Sequence, residues 1–504
     1  MMYSIDFWID KRAEITPNRI ALKSQQTSMT YFELQQSMNK LAYYLQEKYS
    51  IEKGDRVAIL SSNRIEYLIA YFALAKLGSI VVPLNIRLTA NELAFQLNDS
   101  GSKLLIYEKE FQSIKDEIFS LTEIESAFDI DCWHEEERNI VQYVSPSIEK
   151  DGDDRFIICY TSGTTGRPKG AVLTHANMYW NAINNIVAID INSYDRIIVL
   201  LPLFHIGGIG LFAFPGFLAG ATVLVQGKFN PDLAIEMIEN EKVTIVMGVP
   251  AIHDAIRKSP LFENSRFESV RWFYNGGATC PKDVYEAYLD RGLPFGGGFG
   301  MTEASPTIFM TSKEDFARKP DSIGKPVMFC ECKLVGENGE PVKQGEVGEL
   351  YIKGPNVMKE YWQLKEATES TFHNGWLKTG DLMRQDEEGF YYVAGRKKDM
   401  IISGGENIYP LEVEQVISEF PEVDEVAVVG TVDAKWGEVP IAFIKFHDNQ
   451  TLSKEQLIER CQKRLGKYKI PKHFYQVDEL PRNATGKIMK TALKQEIYEE
   501  QELI

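Results

Sequence analysis

The chain has 504 residues and a mass of 57.3 kDa, several times the size of a single domain, so two or more domains are expected. Hydrophobic residues make up 44% and charged residues 25% of it, which excludes disordered, collagen-like and coiled-coil accounts of the whole chain. Lys and Arg number 55 against 72 Asp and Glu, a net charge of −17. An acidic surface argues against nucleic acid as a partner and against broad adhesion to an anionic membrane. The six cysteines contain no C-x-x-C pair, so neither a disulfide framework nor a zinc ribbon is suggested, and reduced thiols in a cytoplasmic setting are expected.

The N-terminus carries Asp6, Asp10, Lys11 and Arg12 and no apolar run of signal-peptide length, so export is not expected. Strand patterns at 55–60, 79–83 and 103–107 alternate with helical patterns at 65–77 and 89–97, the rhythm of βαβ units and a mostly parallel sheet. From Ile197 to Gly227 there is no charged residue, a length that would satisfy a membrane span. Pro202, Pro215 and the glycines at 207, 208, 210, 216 and 220 break it into a strand at 197–201, a helical piece and a strand at 221–225, so buried core beside a pocket is expected instead. Strands at 243–247 and 270–274 and a helix at 281–291 continue the pattern. From 323 to 390 short strands alternate with Gly-rich turns, which predicts a small barrel-like module. Beyond Gly395 the chain reads as α+β, with a helix at 410–419, a strand at 425–430 and a helix at 453–465.

The densest chemistry lies in Tyr160-Thr-Ser-Gly-Thr-Thr-Gly-Arg-Pro-Lys-Gly170, after the apolar 156–159. Gly163, Gly166 and Gly170 let backbone approach a ligand, while Thr161, Ser162, Thr164 and Thr165 supply hydroxyl donors beside Arg167 and Lys169. Such a loop suits a polyphosphate. It is not a Walker A loop, because Arg167 follows the second glycine and Gly170 follows Lys169.

This run resembles the signature loop of the adenylate-forming superfamily, which includes acyl-CoA synthetases, luciferases and adenylation domains of peptide synthetases. The family's other motifs follow in order: Pro202-Leu-Phe-His-Ile-Gly-Gly208, Asn275-Gly-Gly-Ala278, Phe299-Gly-Met-Thr-Glu-Ala304, Trp376-Leu-Lys-Thr-Gly-Asp381, Gly395-Arg-Lys-Lys-Asp-Met-Ile401, Ser403-Gly-Gly-Glu-Asn-Ile-Tyr-Pro410 and Pro481-Arg-Asn-Ala-Thr-Gly-Lys487. The resemblance covers essentially the whole chain. It implies an α/β multidomain fold: a large domain over 1–397, made of two βαβ-type subdomains and the barrel-like module, and a small mobile α+β domain over 398–504, with Lys398 at the hinge.

The resemblance also implies a chemistry. A carboxylate is joined to AMP from ATP with loss of pyrophosphate, and a thiol then attacks the acyl adenylate, work that demands positioning and charge handling more than a protein nucleophile. Thr161, Ser162, Gly163, Thr164, Thr165, Gly166 and Lys169 would hold the phosphates. Glu303, with Thr161 as partner, is the expected ligand of Mg²⁺, which takes few hard oxygen ligands besides substrate phosphates. Gly276, Gly277 and Ala278 would lie against the adenine, with Gly298, Gly300, Met301 and Thr302 nearby, Thr302 also counting among the catalytic residues. Phe299 stands where relatives usually have Tyr, keeping the stacking surface and losing the phenol. Asp381 would accept the ribose hydroxyls, supported by Arg396. Lys487 would bridge the substrate carboxylate and the α-phosphate, and Gly405 belongs to the loop thought to shape the thiol tunnel.

His205 to Phe212 and Gly296 to Gly298 are expected to line the acyl site. Their glycines would vacate volume beside Ile206, Ile209, Leu211, Phe212 and Phe214, fitting a slender medium- or long-chain fatty acid. His205 is expected to gate the pocket or contact the carboxylate, since no second His sits at metal-ligand spacing. The expected partners are a small-molecule carboxylic acid, ATP and coenzyme A. Arg460, Lys463, Arg464, Lys467, Lys469 and Lys472, with no acid among them, form a candidate dock for the phosphates of coenzyme A. Alternatives are an aryl-acid CoA ligase, such as an o-succinylbenzoate or cinnamate activator, an acyl-AMP ligase loading a carrier protein, and an idle nucleotide-binding relative. The joint presence of Glu303, Asp381, Arg396 and Lys487 argues against the idle copy. Peripheral membrane contact and the choice between monomer and homodimer stay open.

Overall fold

A computed structural model describes residues 4–161, 167–482 and 488–496. The chain divides into two compact units, one formed by Met1–Cys332 and Ile352–Leu377, the other by Lys333–Tyr351 and Lys378–Ile504. The expected boundary at residue 397 thus falls inside the second unit, which also takes in much of the glycine-rich module.

The first unit is built on two sheets. In one, the neighbours run Glu360–Tyr361, Lys169–Thr174, Arg155–Thr161, Ile80–Pro83, Arg56–Leu60, Leu104–Tyr107 and Ala127–Asp129. The other has nine strands, with Phe295–Gly300, Trp272–Asn275, Ile245–Gly248, Arg196–Val199 and Thr222–Val225 parallel at its centre. The helix Ile65–Leu77 is buried at every residue but Lys76, as its apolar character on all faces demands. Its Tyr71 meets Phe156 of the seven-stranded sheet at 6.3 Å, and its Phe72 meets Phe217 at 5.1 Å.

The charge-free run becomes the strand Arg196–Val199, two short helices, Ile206–Gly210 and Ala213–Ala219, and the strand Thr222–Val225, all essentially buried. Among the described residues no helix is long and apolar enough to cross a membrane. Parallel strands matter for the site because their carboxyl ends all open on one edge. There Trp272–Asn275 delivers Gly276 to Ala278, and Phe295–Gly300 delivers the turn Thr302–Ala304.

In the second unit, the end of the strand Trp376–Gln385 pairs antiparallel with Tyr391–Arg396, so that Asp381 faces Arg396. Beyond it, Val423–Asp433 and Gly437–Phe446 form a long hairpin, with His473–Gln476 parallel to the second strand. Strand alternation splits its side chains between two cores. Val428, Ala442 and Ile444 pack with the helices Pro410–Ser418 and Lys454–Gln462 on one face, and Ala427, Val429, Ile441 and Phe443 with Leu493 on the other. This is the α+β pattern expected from the sequence.

Candidate active site

Two strands flank the expected phosphate loop. Arg155–Thr161 and Lys169–Thr174 pair antiparallel with Thr161 opposite Lys169, and the Thr161 hydroxyl donates loosely to the Lys169 carbonyl at 3.4 Å. The hairpin is anchored by Tyr160, whose hydroxyl donates to Asp99 at 2.6 Å. Ser162, Gly163, Thr164, Thr165 and Gly166, and likewise Lys487, lie outside the described residues.

Glu303 is buried, with 7% exposure, and the phenol of Tyr361 donates to its Oε1 at 2.8 Å. Among the described residues this is its single side-chain hydrogen bond. The backbone beside it is fixed in several places. Met358 N donates to the Glu303 carbonyl at 2.7 Å, and the Asn356 amide donates to the carbonyls of Ala304 and Thr307 at 2.9 and 2.8 Å. Tyr361 pairs with Ala171 next to the phosphate hairpin, and Lys169 Nζ sits 5.2 Å from its ring centroid. The segment 355–362 therefore straps the acid's turn to the phosphate hairpin.

At the loop expected to meet the adenine, the Asn275 amide donates to the Ala278 carbonyl at 2.9 Å, and Gly277 takes a φ of 83°, a region glycine enters without strain. A Cβ on Gly276 would meet Met247 Cε at 2.7 Å. Below it, His253 Nε2 lies 3.1 Å from the Tyr274 carbonyl. Burial pushes His253 down to about 4, so it is neutral and donates from Nε2. Phe299 is partly buried, its ring 6.3 Å from that of Phe309 and steeply inclined to it at 62°.

The acyl wall differs from expectation in one respect. A Cβ on Gly208 would lie 2.1 Å from the Pro202 carbonyl oxygen, one on Gly210 2.7 Å from the Ser305 carbonyl oxygen, and one on Gly298 2.5 Å from that of Phe309. On Gly296 it would strike Trp272 at 2.7 Å and Tyr274 at 2.9 Å. These glycines let backbone and rings close together and do not vacate a channel. The cavity beside Gly207, Gly208, Phe212 and Met247 is about 10 Å³, the room of one water. Tyr274, whose ring meets Phe212 at 5.5 Å, is fixed by its hydroxyl, which donates to the Gly297 carbonyl at 2.7 Å and accepts from Thr311 N at 2.9 Å. His205 is exposed, and its Nδ1 accepts from Gly207 N at 3.1 Å.

In the second unit Asp381 is buried at 3% exposure and pairs with Arg396 Nε at 2.8 Å. Its own N–H donates to Thr379 Oγ1 at 3.1 Å. Lys398 is exposed in a short 3₁₀ turn, Lys397–Asp399. Gly404 and Gly405, both at positive φ, make the turn of the hairpin Ile401–Ser403 and Glu406–Ile408. In the basic stretch expected as a candidate dock for coenzyme A, four of the six cations are paired with acids. Arg460 pairs with Glu422, Arg464 with Glu419 and Lys469 with Glu412, acids that folding brings from elsewhere, and Lys463 pairs with Glu459 one helical turn before it. Lys472 lies 5.8 Å from the Trp436 ring centroid, and Lys435 lies 4.7 Å from it.

Tyr361 and Asn356, more than fifty residues beyond Glu303 in the chain, were invisible to motif reasoning. The apolar pairs Val357-Met358 and Tyr361-Trp362, on either side of Lys359 and Glu360, are the local signal in that segment.

Residues 9–362 match the AMP-binding enzyme family and residues 412–487 its C-terminal domain. A feruloyl-CoA synthase of Amycolatopsis sp is 39% identical over 96% of this chain and 97% of its own. A long-chain-fatty-acid–CoA ligase of Mycobacterium tuberculosis is 37% identical over 98% and 99%. The o-succinylbenzoate CoA synthetase of Bacillus subtilis, in complex with ATP and magnesium ion, is 37% identical with a TM-score of 0.86, covering 97% of this chain and 99% of that one. Its complex with an acyl-adenylate intermediate gives 37% and 0.87 over 99% of both chains. The motifs in order, the two-sheet fold and these matches across nearly the full length place the chain in the AMP-binding, adenylate-forming enzyme family, in its CoA-ligase branch.

Proposed function

We propose that this chain is an ATP-dependent ligase that joins a compact apolar acid, of the aryl class, to coenzyme A through an acyl adenylate. The observation that supports this choice of acid is the packing of the glycine positions: the space beside Gly208, Gly210, Gly296 and Gly298 is taken by carbonyls, Trp272 and Tyr274. The medium- or long-chain fatty acid suggested by the apolar sequence of the wall is the second reading, favoured by the uncharged lining from Ile197 to Gly227.

In the first step the substrate carboxylate attacks the α-phosphorus of ATP, and the bond to the β-phosphate breaks to release pyrophosphate. Lys487 would relieve the repulsion of the two approaching anions. Thr161 and Lys169, with Ser162 to Gly166, would hold the phosphates, and Asp381 the ribose hydroxyls. Magnesium, when bound, neutralises charge on the phosphates. The donor set fits it: Glu303 offers a buried carboxylate with one oxygen hydrogen-bonded to Tyr361. Magnesium favours such sites, with one or two carboxylates and the rest from phosphate and water. In the second step the thiol of coenzyme A attacks the acyl carbon and AMP leaves. Since four of the basic-stretch cations are paired, Lys472 and Lys435 around Trp436 are the better-supported contacts for an anionic nucleotide.

Pyrophosphate release over a panel of straight-chain acids of increasing length and of aryl acids, with and without coenzyme A, tests both levels of this reading. We expect kcat/KM for the best aryl acid to exceed that for dodecanoate at least about 10-fold, the scale of a few methylenes that a pocket cannot bury. Preference for dodecanoate or longer acids would overturn the compact pocket, and no release with any acid would overturn the ligase.

A further inference from the structure

We propose that Tyr361 is a positioning residue that sets the carboxylate of Glu303 for its cation, and that the strap bearing it makes the acid and the phosphate hairpin one rigid piece. The inference rests on the magnesium role given to Glu303 above. A phenol donating to this buried carboxylate at 2.8 Å restrains its rotation and brings no charge of its own. A Lys or Arg in that place would neutralise the charge a metal needs.

The phenol is itself held from three directions. Tyr361 pairs with Ala171, and the following Trp362 donates its N–H to the Gly170 carbonyl at 2.7 Å and its indole N–H to the Asp99 carbonyl at 3.1 Å. Asp99 also accepts from Tyr160, so one residue anchors both the strap and the hairpin. The strap's other end is tied down by Asn177, whose amide donates to the Pro355 and Val357 carbonyls, each at 2.8 Å. Finally, Lys169 above the ring polarises the phenol toward donation. The tyrosine thus touches a phosphate-loop cation with its face and the metal-binding acid with its edge.

The experiment is a binding titration that needs no turnover. Mn²⁺, as a paramagnetic stand-in for magnesium, is titrated into the full chain with α,β-methylene-ATP, and free Mn²⁺ is read by electron paramagnetic resonance. Tyr361→Phe should weaken Mn²⁺ binding about 10-fold, the usual cost of losing a group that orients a metal ligand, and should raise by a similar factor the Mg²⁺ concentration for half-maximal pyrophosphate release. Affinity for the nucleotide without metal should stay unchanged. Glu303→Gln, which still offers the phenol an acceptor, should also weaken Mn²⁺ binding, and adding Tyr361→Phe should cost nothing more. Unchanged Mn²⁺ affinity in Tyr361→Phe, or losses that add in the double variant, would overturn the proposal. Because Mn²⁺ binding is read without an acid substrate, failure of the ligase reading would show separately, as absent pyrophosphate release with normal metal binding.

Discussion

The two units each bury one carboxylate that the family motifs single out, and they treat it in opposite ways. Glu303 in the first unit, 7% exposed, is met by a neutral phenol; Asp381 in the second, 3% exposed, is met by the guanidinium of Arg396 at 2.8 Å. Ionised carboxylates this deep need compensation. A neutral donor orients an acid without supplying a positive charge that would compete with a cation. An acid already paired with Arg is suited to uncharged hydroxyls, which ask only for good acceptor geometry. Burial alone therefore does not separate the two acids, whereas the charge of the neighbour does.

The strongest way to break this comparison is to neutralise each acid without changing its size. Glu303→Gln should lower the rate of adenylate formation about 10²-fold to 10³-fold, as expected when one group aimed at developing charge is lost, with little change in KM for ATP at saturating Mg²⁺. Asp381→Asn should act chiefly on KM for ATP, raising it about 10-fold to 100-fold through weakened hydrogen bonds to a charged acceptor. Initial-rate kinetics of pyrophosphate release against ATP and Mg²⁺ would show the split, and the same pattern in both variants would erase the distinction.

A sharper division concerns the two half-reactions. With the hinge proposed at Lys398, exposed in its short turn, Lys398→Pro should leave acyl-adenylate formation within about 3-fold while reducing thioester formation at least about 10-fold, since a fixed φ restrains a rotating segment. Full-rate thioester formation in single-turnover assays would remove the swinging-domain account.

The smallest expected effect is on stability, and it is confined to the first unit. Burial pushes His175 and His253 each down to about 4, against an ordinary value of about 6.5 in the unfolded chain. The unfolded chain binds the extra protons, so stability fully present above about pH 6.5 is lost progressively as pH falls toward 4, by about 3 kcal/mol at most for each histidine. Urea midpoints followed by tryptophan fluorescence from pH 7.5 to 4.5 should fall accordingly. His253→Gln, which keeps a donor for the Tyr274 carbonyl, should flatten the slope, and an unchanged slope would assign the acid sensitivity elsewhere.

The alternation of apolar strands and helices was plain in the residues because period 2 and period 3.6 are local properties. The helix Ile65–Leu77 matches its predicted span. The glycines misled for the opposite reason. Their missing side chains are visible in the sequence, but whether the freed space goes to a ligand or to the protein's own carbonyls depends on which segments pack against them, as Ser305 does on Gly210. The basic stretch misled likewise, because Glu412, Glu419 and Glu422 lie some forty to sixty residues earlier than the cations they pair with.

By itself, then, the sequence determined the family, the order of elements and the identity of the motif residues, since short-range patterns and fixed spacings carry all three. Tertiary structure alone decided what stands beside each of them: the phenol on Glu303, the guanidinium on Asp381, the rings that close the acyl wall. Those partners come from distant segments, and neighbourhood across a fold sets a buried group's charge and room in a way that neighbourhood along the chain does not.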